Sequence, residues 1–123
     1  MYGRGVRWNV KFTKEAEDWF SELGDDDQLS VGQAIEALAV NGPVLGRPLA
    51  DSVKGSRHHN MKELRPRGGH LRALFVFDPR RAAIILLGGD KTGNWIGWYR
   101  HSIPRADALY DEYLRELERK GLI

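Results

Sequence analysis

The sequence predicts an α+β fold: a small twisted antiparallel sheet with an N-terminal αα-hairpin packed on it and a C-terminal helix. Three observations carry this. Residues 61–91, MKELRPRGGHLRALFVFDPRRAAIILLGGDK, hold three short extended segments separated by Gly/Pro clusters. Residues 13–41 hold two apolar stripes at helical spacing, and a third runs from Leu109 to Leu117. Turns as short as Pro66–Gly69 and Asp78–Arg81 join antiparallel neighbours, because parallel strands need a long crossover.

Arg7 to Phe12 alternates, with Trp8, Val10 and Phe12 in period two, and reads as a strand joining the sheet. Gly3 and Gly5 before it suggest a loose N-terminus. Thr13 is a suitable N-cap for a helix whose stripe is Ala16, Trp19, Phe20 and Leu23, with Gly24 as its C′ residue. Asp25-Asp26-Asp27 makes the connection and caps a second helix, with Val31, Ala34, Ile35 and Leu38 on its stripe. Asn41-Gly42-Pro43 stops it. Residues 43–60 hold two prolines, two glycines and no periodicity, and read as an irregular excursion. The meander segments are Met61–Arg65, Leu71–Phe77 and Ala83–Leu87, with Gly88-Gly89 ending the third. Trp95, Ile96, Trp98 and Tyr99 fit either a last edge strand or a packed loop. Ser102-Ile103-Pro104 opens the terminal helix with Pro104 at N1.

A chain of 123 residues is one domain by size, spanning 1–123. Its 41% hydrophobic content supports a packed core rather than disorder. There is no cysteine, which excludes a disulfide, a thiolate metal site and a Cys nucleophile and suits a reducing cytoplasm. No apolar run approaches the roughly 20 residues of a membrane span, and MYGRGVRWNV lacks the apolar stretch of a signal peptide. The net charge of +2 hides a segregation. Residues 1–46 carry four basic and eight acidic side chains, net −4; residues 47–105 carry twelve and four, net +8; residues 106–123 carry three and five, net −2. Such a basic segment attracts polyanions.

The chemistry-bearing residues lie in that segment. Arg65, Arg67, Arg72, Arg80, Arg81 and Lys91 stud the predicted sheet, which is expected to bury one face and carry cations on or beside the other. Arg47, Lys54, Arg57 and the pair His58-His59 make the 43–60 excursion a candidate wall of the site. Adjacent histidines in extended chain point opposite ways, so His58 and His59 do not share a metal, although either suits acid/base work. Asp25-Asp26-Asp27 reads as a cap and solvated acids rather than a cation site, which needs carboxylates converging in space. Arg65 has a structural alternative, an ion pair with Glu63 or with an acidic helix.

In the order β-α-α-β-β-β-α with an arginine-studded sheet, the chain resembles the RelE/HigB superfamily of toxins of type II toxin–antitoxin systems, in its phage-derived HigB-like branch. The matching words are Lys62-Glu63-Leu64-Arg65, Arg72 leading an apolar strand, Ile84-Ile85-Leu86-Leu87, Gly88-Gly89-Asp90-Lys91, and Ile103-Pro104-x-Ala106-Asp107. They span about residues 6–119. Relatives carry two consecutive lysines after the third meander strand, whereas here Thr92 follows Lys91.

The resemblance implies a ribosome-dependent mRNA endoribonuclease that uses no metal and no other cofactor. The 2′-hydroxyl would attack the adjacent phosphate, which needs a base, an acid and cations on the phosphorane. By position, Arg65 and Arg72 would bind the phosphate, and Asp90 and Lys91 would complete the catalytic set with His58 or His59. Lys54, Arg57, Lys62, Arg67, Tyr99 and His101 would contact the RNA. The implied partners are a cognate helix-turn-helix, HigA-like antitoxin, the ribosome and mRNA, with no membrane. Two alternatives stay open: a ParE-like DNA gyrase inhibitor and a non-catalytic nucleic-acid-binding module.

Overall fold

The computed structural model of the chain describes residues 7–123. The expectation for Gly3 and Gly5 lies outside the described residues. Strand β1 (Val10–Phe12) leads into helices α1 (Lys14–Ser21) and α2 (Asp25–Asn41), and a 3₁₀ turn follows at Gly42–Val44. Four strands come next: β2 (Ala50–Ser52), β3 (Lys62–Leu64), β4 (Leu71–Phe77) and β5 (Ala83–Asp90). Helix α3 (Trp95–Arg119) completes the chain. The sheet order is β1-β5-β4-β3-β2. Strands β2 to β5 form the antiparallel meander, and β1 joins β5 in parallel, Val10 beside Ala83. The two helices between β1 and the meander supply the long connection that a parallel pair requires.

Both faces of the sheet are covered. The helical hairpin α1–α2 buries one face through Ala16, Ala34 and Leu38 against Leu64, Ala73, Phe75 and Ile85. Helix α3 covers much of the other, where Ile103, Ala106, Leu109 and Tyr110 meet Leu74, Val76, Ile84 and Leu86. Period-two alternation divides β4 between these cores, which explains its continuous apolar run. The expected split, one buried face and one cationic face, therefore changes: Arg65, Arg72 and Lys91 occupy the part of the second face that α3 leaves uncovered, and the other cations expected on the sheet lie elsewhere.

Several boundaries moved for identifiable reasons. Thr13 caps α1 as expected, its hydroxyl oxygen accepting from the Ala16 N–H at 3.1 Å and donating to the Leu86 carbonyl at 2.6 Å. Leu86 is the extra residue where the β4–β5 register shifts between Leu74 and Phe75. Gly24 is the N-cap of α2 rather than the end of α1, and the three aspartates lie inside the first turn of α2, where the helix dipole favours them. Asp51 anchors a strand, β2, that the excursion 43–60 was not expected to hold. Gly88 and Gly89 do not end the third meander strand; β5 continues through them to Asp90. A Cβ on Gly88 would stand 2.4 Å from the Trp19 indole on one face, and one on Gly89 2.2 Å from Trp98 Nε1 on the other. Two indoles pressed on opposite faces of one strand account for consecutive glycines there.

Helix α3 begins at Trp95, well before the expected start at Pro104. Its N-cap Asn94 accepts from the Gly97 N–H at 3.2 Å, and Pro104 lies inside it. The Trp-rich segment is thus neither an edge strand nor a loop. Pro104 has no N–H to offer the Arg100 carbonyl, so the helix passes that point one hydrogen bond short.

Candidate functional site

Glu63 is the residue about which the site is built. Met61, Glu63 and Arg65 alternate onto the face shared with α3, while Lys62 and Leu64 turn to the helical hairpin. Glu63 is only 3% exposed. A carboxylate in that position must be paired, and three side chains do this. Arg65 donates from Nε and approaches with Nη2, both 2.8 Å from Glu63 Oε2. The Tyr99 hydroxyl, on the second turn of α3, donates to Glu63 Oε1 at 2.5 Å. Arg72 Nε lies 3.8 Å from the same oxygen.

Arg72 is held by its other end. Its Nη1 donates to the carbonyls of Leu71 and Gly69 at 2.8 and 3.2 Å. Its buried Nε has no hydrogen-bond partner. Opposite Arg72 on β5 stands Gly89, whose missing side chain leaves room for the Trp98 indole. Arg65 reaches past Glu63 to Asp51 at 3.4 Å, and Arg47 holds Asp51 from the far side at 2.9 Å. Burial pushes the Tyr99 hydroxyl above its ordinary value, and the Glu63 carboxylate pushes it the same way. Tyr99 is therefore a neutral donor at neutral pH.

These groups floor an open groove of about 610 Å³ between β3–β4 and the first turns of α3. Lys54 and Lys91 stand on its walls, and Trp95 and Ile96 form an apolar rim, 57% and 55% exposed. The Trp95 ring meets Tyr99 edge-on with centroids 6.3 Å apart. The groove offers fixed cations, a neutral hydroxyl in contact with a buried carboxylate, and an exposed aromatic face. That set suits a phosphodiester next to an unstacked base.

Of the residues expected from sequence, the structure brings Arg65, Arg72, Lys91, Lys54 and Tyr99 together here. It keeps the others apart. His58 is turned to α3, its Nε2 2.8 Å from Asp111 Oδ1 and its ring against Tyr110. Arg57 pairs with the same carboxylate at 2.5 Å. His59 and His101 are exposed outside the lining of the groove. Lys62 donates to the Pro43 carbonyl on the opposite face. Asp90 ends β5, accepting from the Thr92 N–H at 2.8 Å, and hydrogen bonding from the Thr92 side chain and then its backbone holds the Asp90 carboxyl below the ordinary value. Arg67 is exposed in the turn after β3. Sequence reasoning missed Glu63 as a centre and Trp95 and Ile96 as a rim. The alternation of Met61, Glu63 and Arg65 was the available signal for Glu63.

The loop that carries Lys54 is tied down by α3. Buried Asp107 accepts from the Ser56 hydroxyl at 2.5 Å and the Arg57 N–H at 3.0 Å. Among the described residues no group of three or more His, Asp or Glu side chains is placed to hold a metal ion. Also among them, no helix is long and apolar enough to cross a membrane.

Residues 18–111 match the family of phage-derived Gp49-like proteins (DUF891). The chain belongs to that family. Gp49-like proteins sit here beside named toxins of the RelE/HigB superfamily. The chain is 53% identical over 100 residues to the candidate toxin HigB3 of Mycobacterium tuberculosis, covering 81% of this chain and 88% of HigB3. It is 47% identical over 103 residues to the candidate toxin HigB2 of the same organism, covering 81% of this chain and 51% of HigB2. The chain thus spans about half the length of HigB2. The isolated RelE toxin of Escherichia coli superposes with a TM-score of 0.58 at 11% identity, covering 80% of this chain and 97% of RelE. That likeness is one of fold. Together these place this Gp49-like chain in the RelE/HigB toxin superfamily.

Proposed function

We propose that this toxin is a ribosome-dependent mRNA endoribonuclease that cleaves by attack of a ribose 2′-hydroxyl on the adjacent phosphorus. The observation that carries this reading is the buried Tyr99–Glu63 pair set between Arg65 and Arg72 in a groove open to a strand. Arg72 is the phosphate anchor, its guanidinium held on the groove floor by the Leu71 and Gly69 carbonyls. Arg65 and Lys54 add positive charge where the phosphorane becomes more negative.

Tyr99 and Glu63 form a proton relay. As the 2′-oxygen bonds to phosphorus, its proton passes to the Tyr99 oxygen while the Tyr99 proton moves to Glu63. Lys91, on the wall, is the donor to the leaving 5′-oxygen as its bond to phosphorus breaks. The products are a 2′,3′-cyclic phosphate and a 5′-hydroxyl, with no net redox change and no metal in the scheme. Asp90 and His58 then support the fold around the groove, and His59 stands outside the proton transfers. A cognate antitoxin of the helix-turn-helix, HigA-like kind would neutralise the protein in the cytoplasm. A solved structural neighbour from M. tuberculosis, RelBE2, is itself a toxin–antitoxin complex.

The test is primer extension on a reporter mRNA in a purified translation system. Discrete cuts that need ribosomes and vanish with Arg72→Ala are expected. Intact mRNA with translation unaffected overturns the reading.

A further inference from the structure

The floor of the groove does not end at the arginines. Arg65 and Arg72 also line a second hollow of about 270 Å³, on the side away from Trp95. Its other walls are Pro48, Leu49, Pro66 and the backbone of Gly69, with Arg67 at the outer end. Gly68 and Gly69 both take positive φ, 104° and 83°, which folds the turn after β3 back beside Arg72 and lets the Gly69 carbonyl accept from it. A third hollow of about 450 Å³ shares Arg67 and Leu49 and runs on to Ser30 and Gln33 of α2. Arg65 and Arg72 are shared by the first two hollows and Arg67 by the second and third, so arginines stand between each neighbouring pair.

Charge separates these hollows from another large one among the described residues. The space of about 660 Å³ between α1 and the tail of α3 carries Glu15, Asp18, Glu112 and Glu116 beside its three cations. A polyanion is repelled there. No carboxylate lines the second or third hollow. Arg67 makes no ion pair among the described residues, whereas Arg65 and Arg47 are already engaged by Glu63 and Asp51. A guanidinium left to solvent beside an apolar wall offers a phosphate contact next to a place for a sugar.

We propose that the hollow at Arg67 is a second nucleotide subsite, which binds the phosphate adjoining the scissile linkage on the same single strand of RNA. Arg72 holds the scissile phosphate and Arg67 its neighbour, and Pro48 and Leu49 pack against the sugar between them. The subsite rests on the nuclease reading and extends it from one linkage to two.

The experiment uses ribosomes programmed with synthetic mRNAs in which one phosphate at a time, on either side of the cut, is replaced by an uncharged methylphosphonate. Single-turnover cleavage is measured for the wild type, Arg67→Ala, Arg67→Lys and Arg72→Ala, with unfolding midpoints as a check on folding. Arg67→Ala is expected to cut the all-phosphate mRNA roughly five- to tenfold more slowly, as for loss of one phosphate contact. One neighbouring methylphosphonate should slow the wild type equally and slow Arg67→Ala no further, and Arg67→Lys should recover much of the rate. Wild-type rates in Arg67→Ala overturn the subsite, as does an effect that simply adds to that of every linkage, which would place Arg67 on ribosomal RNA instead. These negatives leave the nuclease reading standing if Arg72→Ala abolishes cutting. If the wild type cuts none of the mRNAs, the nuclease reading falls and the subsite with it.

Discussion

Tyr99 donates its hydroxyl proton to Glu63 across 2.5 Å, tying the second turn of α3 to the short strand β3. Glu63 serves Arg65 and Arg72 as well, so the two ends of this bond are unequal. Tyr99→Phe removes one donor and should cost about 1–3 kcal/mol of stability. Glu63→Ala leaves two guanidinium groups without their buried partner and should cost about 3–5 kcal/mol. Urea unfolding of both variants checks the order. Equal losses would mean that the arginines do not depend on Glu63.

Stability should fall as pH rises above 6.5 through His70. Its Nε2 lies 3.1 Å from Asp27 in the first turn of α2, and that hydrogen bond raises the imidazole above its ordinary value of 6.5. A raised folded-state value means that the contribution is fully present below 6.5 and is lost as pH climbs through the higher folded value. His70→Gln should flatten the stability profile in that window. The pair is partly exposed, so the effect is small and should shrink further with added salt. A profile unchanged by the substitution refutes the coupling.

The Lys54 loop should come loose when Asp107 is changed. Asp107→Ala leaves the Ser56 hydroxyl and the Arg57 N–H without their acceptor, at a cost of about 1–3 kcal/mol. Hydrogen exchange at Arg57 should speed up far more than exchange in β4. On the nuclease reading cleavage also falls, because Lys54 is no longer held on the groove wall.

A methyl group on either β5 glycine should be felt by a different layer. Gly88→Ala drives into Trp19 beneath the helical hairpin, and Gly89→Ala into Trp98 beneath α3. Each should cost about 1–3 kcal/mol by overpacking. Only the second displaces an indole beside the groove, so only Gly89→Ala should lower cleavage beyond its loss of folded protein. Tryptophan fluorescence and activity on the same samples separate the two.

Trp95→Ala removes an exposed ring and should leave stability within about 0.5 kcal/mol. If that ring stacks on a base, cleavage should fall about tenfold or more. An unchanged rate would make Trp95 a bystander.

Periodicity made much of the fold readable. The stripe Val31, Ala34, Leu38 is buried as a stripe should be, and Gly42 closes α2 with φ of 61°. Strand β2 left no such trace: Ala50-Asp51-Ser52 is too short to show alternation, and its place comes from pairing with β3. At α3 the cue was present but outweighed. Tyr99, Ile103, Ala106 and Tyr110 keep helical spacing straight through Pro104, which is exposed and so tolerated on the solvent side. Strand alternation and the β3–β4 pairing put Arg65 and Arg72 on one face of the groove, a neighbourhood that a sequence with short strands can suggest. His58 lies away from it for a reason no local pattern carries: its partner Asp111 is 53 positions distant in sequence.

The hydrogen bond missing at Pro104 divides α3 into parts of unequal cohesion. The portion before it carries Trp95 and Tyr99; the portion after it carries Ala106, Leu109 and Leu117 into the core. Opening of the front portion need not melt the rest, so its free energy lies below that of global unfolding. One bank of the groove should therefore open before the sheet that bears the arginines, and hydrogen exchange at residues 99–102 should outpace exchange in β4. A cleft with one stiff and one compliant bank adjusts its width to what enters without disturbing the charges on its floor.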